Sequence, residues 1–453
     1  MLVSLSISNF RSFRAEQTFS LVASKRVAGA HEDHAVPIPD SDERVLRAAV
    51  IYGANGAGKS NLLKALRFIK RFALDTRPKS SGTGRDPFRL VDGDSKPSSF
   101  DLQFIAGDKL YRFGFTVDDD QVIDECLLHV IGGRERRLYN RTTDAHGSVK
   151  IESDFKRVGE RLHALTTVGG PSNQSFLATI TSTLDAPDVG PDLRAVITWF
   201  ARDLDLIEPH SSFSTLGGLL KEDAGFLKFA ASFLKSASTG VDGLHTVRTE
   251  VSEEELRSLF PEPQLSKILA DADDDGGSIG IRDGYEIYIE KSDSHRAYRL
   301  GIEALHDHNG GPPIPLALKE ESDGTQRLLH LLPALHYLQF GSAVYFIDEI
   351  DRSMHPALIF KFVEYFLRAC NSGQKQLIFT THEANLLDLS LLRRDEIWFA
   401  EKNRDGATHL FSLTDFKVRK DLEVRKNYLE GRFGAIPFLG DLDRLIEKSN
   451  EGP

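Results

Sequence analysis

Leu46-Arg-Ala-Ala-Val-Ile-Tyr52-Gly53-Ala-Asn-Gly-Ala-Gly-Lys59-Ser60-Asn61 starts as an apolar run of strand length and passes directly into a glycine-rich turn. From Asn61 to Phe72 the apolar residues Leu62, Leu63, Leu66, Ile69 and Phe72 fall on one helical face. Strand, glycine loop and helix in this order turn backbone N–H groups inward around phosphate oxygens, and the helix N-terminus adds partial positive charge. Gly53, Ala54, Asn55, Gly56, Ala57, Gly58, Lys59, Ser60 and Asn61 are therefore the expected nucleotide-binding residues. Lys59 would reach the β- and γ-phosphates, and Ser60 would ligate Mg2+.

A second apolar strand, Ser342 to Ile347, ends in Asp348-Glu349. A strand buried on both faces does not end in two carboxylates without partners for them, because unpaired buried carboxylates are costly. Asp348 would hold Mg2+ directly or through water, and Glu349 would orient and polarise an attacking water. The next apolar strand, Gln376–Phe379, is followed by Thr380-Thr381-His382-Glu383. That places His382 at a strand C-terminus, where open α/β sheets bind ligands, within reach of a γ-phosphate or its attacking water. Upstream, Glu320-Glu-Ser322-Asp-Gly324-Thr-Gln-Arg opens a helix. Ser322 or Asp323 is a good N-cap, and Gly324 permits close approach of another molecule. A capped helix accounts for these residue types; a second phosphate-binding helix end is the functional alternative.

The surroundings set the class. The chain has 453 residues, 40% hydrophobic and 27% charged, with net charge −11. Such a length implies two lobes or one core with a large insertion, and the charge argues against wholesale coating of nucleic acid while leaving room for a local basic patch. Cys126 and Cys370 are the two cysteines, too few for a disulfide framework and without zinc-site spacing, which fits a reducing cytoplasm. No basic region with a following apolar run opens the chain, and no uninterrupted apolar stretch reaches the roughly 18 residues of a membrane span. Val3, Leu5 and Ile7 alternate with serines as in a half-buried strand, with a return strand over Thr18–Val22. Residues 75–98 read as a loop, and Phe100–Ile105, Lys109–Val117 and Glu125–Val130 as an antiparallel meander. In the middle, helices are expected at 191–204, 222–237 and 252–270 and strands at 279–282, 285–290 and 297–304, with no heptad run for a coiled-coil arm. From residue 315 strands alternate with helices, including Thr325–Leu338 and Pro356–Cys370, which predicts a mostly parallel sheet covered on both faces.

Phosphate loop, capped Ser-x-Gly helix, Asp-Glu strand and strand-Thr-His stand in the order of Walker A, signature, Walker B and switch histidine, so the sequence resembles ABC-type ATPases. Ile7-Ser-Asn9-Phe10-Arg11-Ser12-Phe13 looks like the opening strand pair of the RecF/SMC branch. Glu321-Ser-Asp-Gly-Thr-Gln-Arg327, Ile347-Asp-Glu-Ile-Asp-Arg-Ser-Met-His355-Pro356 and Tyr428-Leu-Glu-Gly-Arg-Phe-Gly-Ala-Ile-Pro437 more closely resemble the prokaryotic ATPases called AAA family fifteen. The resemblance covers about residues 1–130 and 310–440. It implies an α/β P-loop NTPase head of ABC/RecF type, with an antiparallel β subdomain and an inserted mixed helical and β region. The corresponding segments are a lobe over 1–130, an insertion over 131–310, a second lobe over 311–440 and a tail over 441–453.

The same resemblance implies ATP and Mg2+ as cofactors, Glu349, His382 and Lys59 as catalytic residues, and Ser60 and Asp348 as Mg2+ ligands. It implies a nucleotide-sandwiched homodimer, open to higher assembly, in which Ser322, Asp323 and Gly324 of one copy meet ATP on the other's P-loop and Asp351 crosses as the D-loop residue. Asp323-Gly324-Thr325 replaces the transporter-type Gly-Gly-Gln, which puts a negative side chain near the γ-phosphate. Gln103 and Gln174 are both candidates for the Q-loop glutamine. Relatives of this stand-alone type include ATPase subunits of antiphage systems such as PARIS and Septu. That likeness implies a cytoplasmic ATPase that controls a separate effector, a TOPRIM-type or other nuclease. A RecF-like repair protein that closes over DNA, and an ATP-gated scaffold with negligible turnover, are the alternatives.

Among weaker signals, Asp271-Ala-Asp-Asp-Asp-Gly276 starts like a calcium loop but has Arg282 where the bidentate glutamate belongs, so it reads as a solvated acidic loop. His306-Asp-His308 reads as loop. Basic clusters stand at Lys64–Arg71, Arg134–Arg137, Arg393-Arg394 and Lys417–Lys426, mostly as solvated faces and turns, with a nucleic-acid groove as the alternative.

Overall fold

The computed structural model describes residues 1–436 apart from 28, 30, 91–95, 156–158, 212, 214, 263–264, 267–276, 283–284, 291–295, 309, 337, 339–340, 371–372 and 417–422. The acidic loop 271–276, most of the basic run 417–426 and the tail 441–453 lie outside the described residues. The chain forms two compact units. The first comprises Met1–Pro209, Gln339–Ile350 and Phe366–Pro453; the second comprises His210–Leu338 and Asp351–Tyr365.

In the first unit a six-stranded sheet runs Leu204–Ile207, Ser342–Ile347, Gln374–Thr380, Ala48–Tyr52, Ile397–Lys402, Thr408–Ser412. Its first five strands are parallel and the last is antiparallel. Ala48–Tyr52 is buried at every residue, as expected for a parallel strand covered on both faces. A second, antiparallel sheet of seven strands runs Val149–Ser153, Arg134–Thr143, Val122–Ile131, Lys109–Val117, Ser98–Ala106, Leu2–Ser8, Gln17–Ser20. The expected meander is present and continues two strands further, so the lobe boundary expected at 130 falls inside the strand Val122–Ile131.

The helix Lys59–Leu74 buries Leu62, Leu63, Leu66, Ile69 and Phe72, as its spacing predicts, and Phe68 in addition. Phe72 stacks on Phe115 at 4.0 Å between centroids and Phe68 tilts on Phe100 at 5.1 Å. The helix therefore shares one aromatic core with the antiparallel sheet. The expected helix 191–204 is Pro191–Thr198 followed by a π-turn over Trp199–Asp203. The widened turn lets the adjacent Trp199 and Phe200 both point inward, with Trp199 stacked on Phe104 at 4.2 Å. Directly after it the chain enters Leu204–Ile207, a short strand that the helical pattern hides; it joins Ser342–Ile347 in parallel.

The second unit has its own antiparallel sheet, Gly243–Val251, Ala297–His306, Tyr285–Glu290 and Gly277–Arg282, with Ile314–Ala317 also paired to Ala297–His306. Its helices include Ala224–Ser236, Glu253–Leu259 and Asp323–Leu331. The helix expected over Thr325–Leu338 stops at Leu331 because Pro333 has no N–H for the next turn, and a 3-10 turn Leu332–Leu335 follows.

Both tryptophans, Trp199 and Trp398, lie in the first unit, so their fluorescence follows that unit's unfolding. Phe115→Ala removes the ring stacked on Phe72 and is expected to cost about 3–5 kcal/mol. Denaturant titration should move the tryptophan-detected midpoint down; an unchanged midpoint would contradict the packing role given to this ring.

Candidate nucleotide-binding site

The parallel sheet sets the site. Ser342–Ile347, Gln374–Thr380 and Ala48–Tyr52 are adjacent and parallel, so Asp348, the Thr380–His382 segment and the glycine loop all leave the sheet at the same end. Lys59 Nζ donates to the Gly53 carbonyl at 2.7 Å and the Ala54 carbonyl at 3.3 Å, and lies 3.0 Å from His382 Nε2. An ammonium has no acceptor, so His382 accepts through Nε2 and carries its proton on Nδ1. Two residues earlier, Thr380 Oγ1 donates to Asp348 Oδ1 at 2.6 Å and accepts from the Glu349 N–H at 2.8 Å. The Asp348 N–H donates to the Ile207 carbonyl at 2.9 Å and the Ile350 N–H to the Thr380 carbonyl at 3.1 Å. Asp348 is thus buried and fixed from both neighbouring strands. Glu349, half-buried, adopts φ 50°, a left-handed conformation that non-glycine residues rarely occupy and that marks functional turns.

The glycine loop is braced by residues from both ends of the chain. Thr408 Oγ1 donates to the Ala57 carbonyl at 2.8 Å and lies 2.8 Å from Ser12 Oγ. The Thr408 N–H donates to the Ser12 carbonyl at 2.7 Å, and Asn61 Nδ2 donates to Ser12 Oγ at 2.7 Å. Asn61 therefore spends its side chain on this brace. Gly58 has φ 106°, and a Cβ there would stand 2.1 Å from Thr408 Oγ1. Only glycine fits. Thr408 carries no motif, and Ser12 appears in the sequence only within the opening Asn-Phe-Arg-Ser-Phe string, so their role emerges from tertiary structure.

The residues present fit a bound nucleotide phosphate. The sixteen-residue helix Lys59–Leu74 has Gly58 at its N-cap position and no side-chain cap, which leaves first-turn N–H groups for an anion. Ser60 is half-buried in that first turn, and Asn55 and Gly56 are exposed on the loop. Gln174 is occupied structurally: its Oε1 accepts from the Arg77 N–H at 2.8 Å and its Nε2 donates to Thr179 Oγ1 at 3.0 Å. Gln103 lies within the antiparallel sheet, paired with Ser4 and Arg112.

Ser322, Asp323, Gly324 and Asp351 belong to the second unit. Ser322 caps its helix, accepting from the Thr325 N–H at 3.1 Å, and both Ser322 and Asp323 are exposed. The close approach that Gly324 permits here is internal: a Cβ would lie 2.5 Å from the Ser353 carbonyl. The Asp351 carbonyl accepts from the Met354 N–H at 3.3 Å in the turn that carries Ser353. On the same helix, burial first and Arg327 second lower the His330 pKa to about 4. His330 is therefore neutral near pH 7, and its Nδ1 accepts from the Phe213 N–H at 3.0 Å.

The family model described as "AAA domain, putative AbiEii toxin, Type IV TA system" matches residues 48–388, from the strand before the glycine loop to just beyond His382. The chain belongs to this family. Its fold class is the expected α/β P-loop NTPase head with an antiparallel subdomain, and the matching model is this AbiEii-type AAA domain where the sequence suggested AAA family fifteen. No curated protein matches the chain. Solved structures that are similar include an SMC head bound to the C-terminal winged-helix domain of ScpA, at 14% identity and TM-score 0.36 over 91% of this chain and 97% of that one. The SMC head domain from Thermotoga maritima matches at 13% identity and TM-score 0.36 over 91% and 98%. An Smc head from Pyrococcus furiosus with an extended coiled coil, bound to the C-terminal domain of ScpA, matches at 14% identity and TM-score 0.37 over 91% and 96%. Among the described residues of this AAA domain, no helix is long and apolar enough to cross a membrane.

Two substitutions test the brace, read by titration with a fluorescent ATP analogue. Gly58→Ala should abolish binding, because the new methyl group has no room. Thr408→Val removes the hydroxyl from the Ala57 carbonyl and should weaken binding by about 1–2 kcal/mol, roughly 5–30-fold. Parental affinity in Thr408→Val would show that the loop holds its shape without the brace.

Proposed function

We propose that this AAA domain hydrolyses ATP with Mg2+, as a dimer closed around nucleotide, and that turnover controls a separate effector in bacterial antiphage defence. The observation that carries the catalytic part is the contact of Lys59 Nζ with His382 Nε2 at 3.0 Å, beside an Asp348 held by Thr380 at 2.6 Å. Lys59 exchanges the Gly53 and Ala54 carbonyls for the β- and γ-phosphate oxygens, so its charge is already placed and desolvation is small. Ser60 and Asp348 would hold Mg2+, which supplies charge neutralisation across the β- and γ-phosphates when bound. Glu349 accepts a hydrogen bond from the attacking water. That water's oxygen forms the new bond to the γ-phosphorus as the bond to the β–γ bridging oxygen breaks, giving ADP and phosphate. His382, released from Lys59, donates to the γ-phosphate in the tautomer that carries its proton on Nε2.

The dimer reading rests on Ser322, Asp323 and Gly324 at an exposed capped helix end, with Asp351 as the crossing residue. The effector reading rests on resemblance to stand-alone defence ATPases and agrees with the toxin–antitoxin wording of the family description. Copurification with the product of the neighbouring gene tests it. DNA-stimulated turnover with no copurifying protein would replace it with the repair reading.

Phosphate release and light scattering after gel filtration test the engine. Lys59→Ala should lose turnover. Glu349→Gln should lose about 10²–10⁴-fold in kcat and accumulate dimer in ATP. A Glu349→Gln protein with parental turnover would leave only an ATP-gated scaffold or a different base.

A further inference from the structure

The four basic clusters of the sequence have different fates. Arg393 is buried against Asp395 at 2.8 Å. Arg136 pairs with Asp192 and Arg137 with Glu152, each at 2.9 Å. Most of the Lys417–Lys426 run lies outside the described residues. The cluster on the P-loop helix lines a cavity.

That cavity has a volume of about 580 Å³ and lies wholly in the first unit. Arg11, Lys64, Arg67, Arg71 and Arg77 line it, against the two carboxylates of Asp75 and Asp86. With Glu208, which pairs with Arg67, five cations meet three carboxylates, a local surplus of two positive charges in a chain whose net charge is −11. Some of this charge is held by neighbours: Arg11 by Asp86 at 3.1 Å, Arg71 by Asp75 at 3.5 Å, and Arg67 by Glu208. Burial lowers the Arg77 pKa; Asp75 opposes the shift and Arg71 adds to it. Arg71 is 70% exposed.

The shape narrows the ligand. Lys64, Arg67 and Arg71 form one stripe along the helix, and seven residues at 1.5 Å each spread it over about 10 Å. That length corresponds to roughly three nucleotide steps of a stacked strand, whereas an isolated phosphate would use only one end of it. Guanidinium groups supply four of the five cations, and their planar fork matches phosphate oxygens. Phe10 and Phe68 also border the cavity, 5.5 Å apart between centroids, with their rings buried in the aromatic core beneath it. The charged rim is the element that tracks a phosphodiester backbone.

We propose that this cavity binds the phosphodiester backbone of a single-stranded nucleic acid, with Lys64, Arg67 and Arg71 tracking successive phosphates. The site is separate from the phosphate loop and does not rest on ATP hydrolysis, so it is measured without nucleotide.

Fluorescence anisotropy of a short fluorescein-labelled single-stranded oligonucleotide on the full chain, across a salt series, reads it. Binding should weaken with salt. In Lys64→Glu/Arg71→Glu the affinity should fall about tenfold or more, and the log–log salt slope should become shallower by about 1.4, two contacts at 0.7 each. Arg71→Gln alone, at an exposed position, should lose about half of that change in slope. Lys150→Glu/Arg161→Glu, which reverses two equally exposed cations elsewhere on the same unit, should leave both quantities unchanged, as should Lys59→Ala. Absence of binding, or equal loss in the control pair, overturns the proposal. So does displacement of the strand by AMP or inorganic phosphate at equal phosphate concentration, which would make the occupant a free anion. Equal binding of a polyglutamate peptide would reassign the cavity to protein. Loss of turnover in Lys59→Ala with oligonucleotide binding intact keeps this site independent of the ATPase reading.

Discussion

A fully buried strand from the N-terminal quarter, Ala48–Tyr52, is held between two strands from the C-terminal quarter, Gln374–Thr380 and Ile397–Lys402. Every functional placement in the first unit depends on that insertion. Parallel pairing aligns the C-terminal ends of the strands, and hydrogen bonds at those ends fix what emerges. Thr380 holds Asp348 and the Glu349 amide, while His382, two residues further on, meets Lys59. Without the parallel register, a lysine and a histidine more than three hundred residues apart would have no reason to touch.

The glycine loop is shaped from outside as well as from within. Its own sequence permits the conformation, but Thr408 and Ser12 select it by bonding the Ala57 carbonyl and the Asn61 side chain. Gly58 is consequently constrained twice, once by its positive φ and once by the hydroxyl packed against its α-carbon. The same turn that offers Ser12 to the loop carries Arg11 to the basic cavity. The P-loop helix likewise serves two chemistries: its N-terminus faces the phosphate loop, and its polar stripe lines that cavity.

The periodicity of Leu62 to Phe72 predicted the helix and its buried face correctly because an amphipathic pattern is local. The meander was legible for the same reason, in alternating strands joined by short turns. Leu204–Ile207 was not. Four residues following a helical pattern carry no period of their own, and their strand identity comes from pairing with Ser342–Ile347. The π-turn at Trp199 was equally hidden, since it is set by two large side chains competing for one core. Gly324 was legible as a point of close contact, but its partner within this chain, the Ser353 carbonyl, was not.

The sequence by itself determined the chemistry available: a lysine at the head of a helix, two carboxylates at a strand end, a histidine at another, and a serine-capped helix. Each follows from residue type and short-range spacing, where steric and hydrogen-bonding rules act within a few residues. Only the tertiary structure decided which of these groups meet, that Thr380, Thr408 and Ser12 hold them, and that the basic stripe of the P-loop helix lines a cavity. Those outcomes depend on contacts between residues far apart in the chain, whose closure is governed by core packing and strand register rather than by local preference.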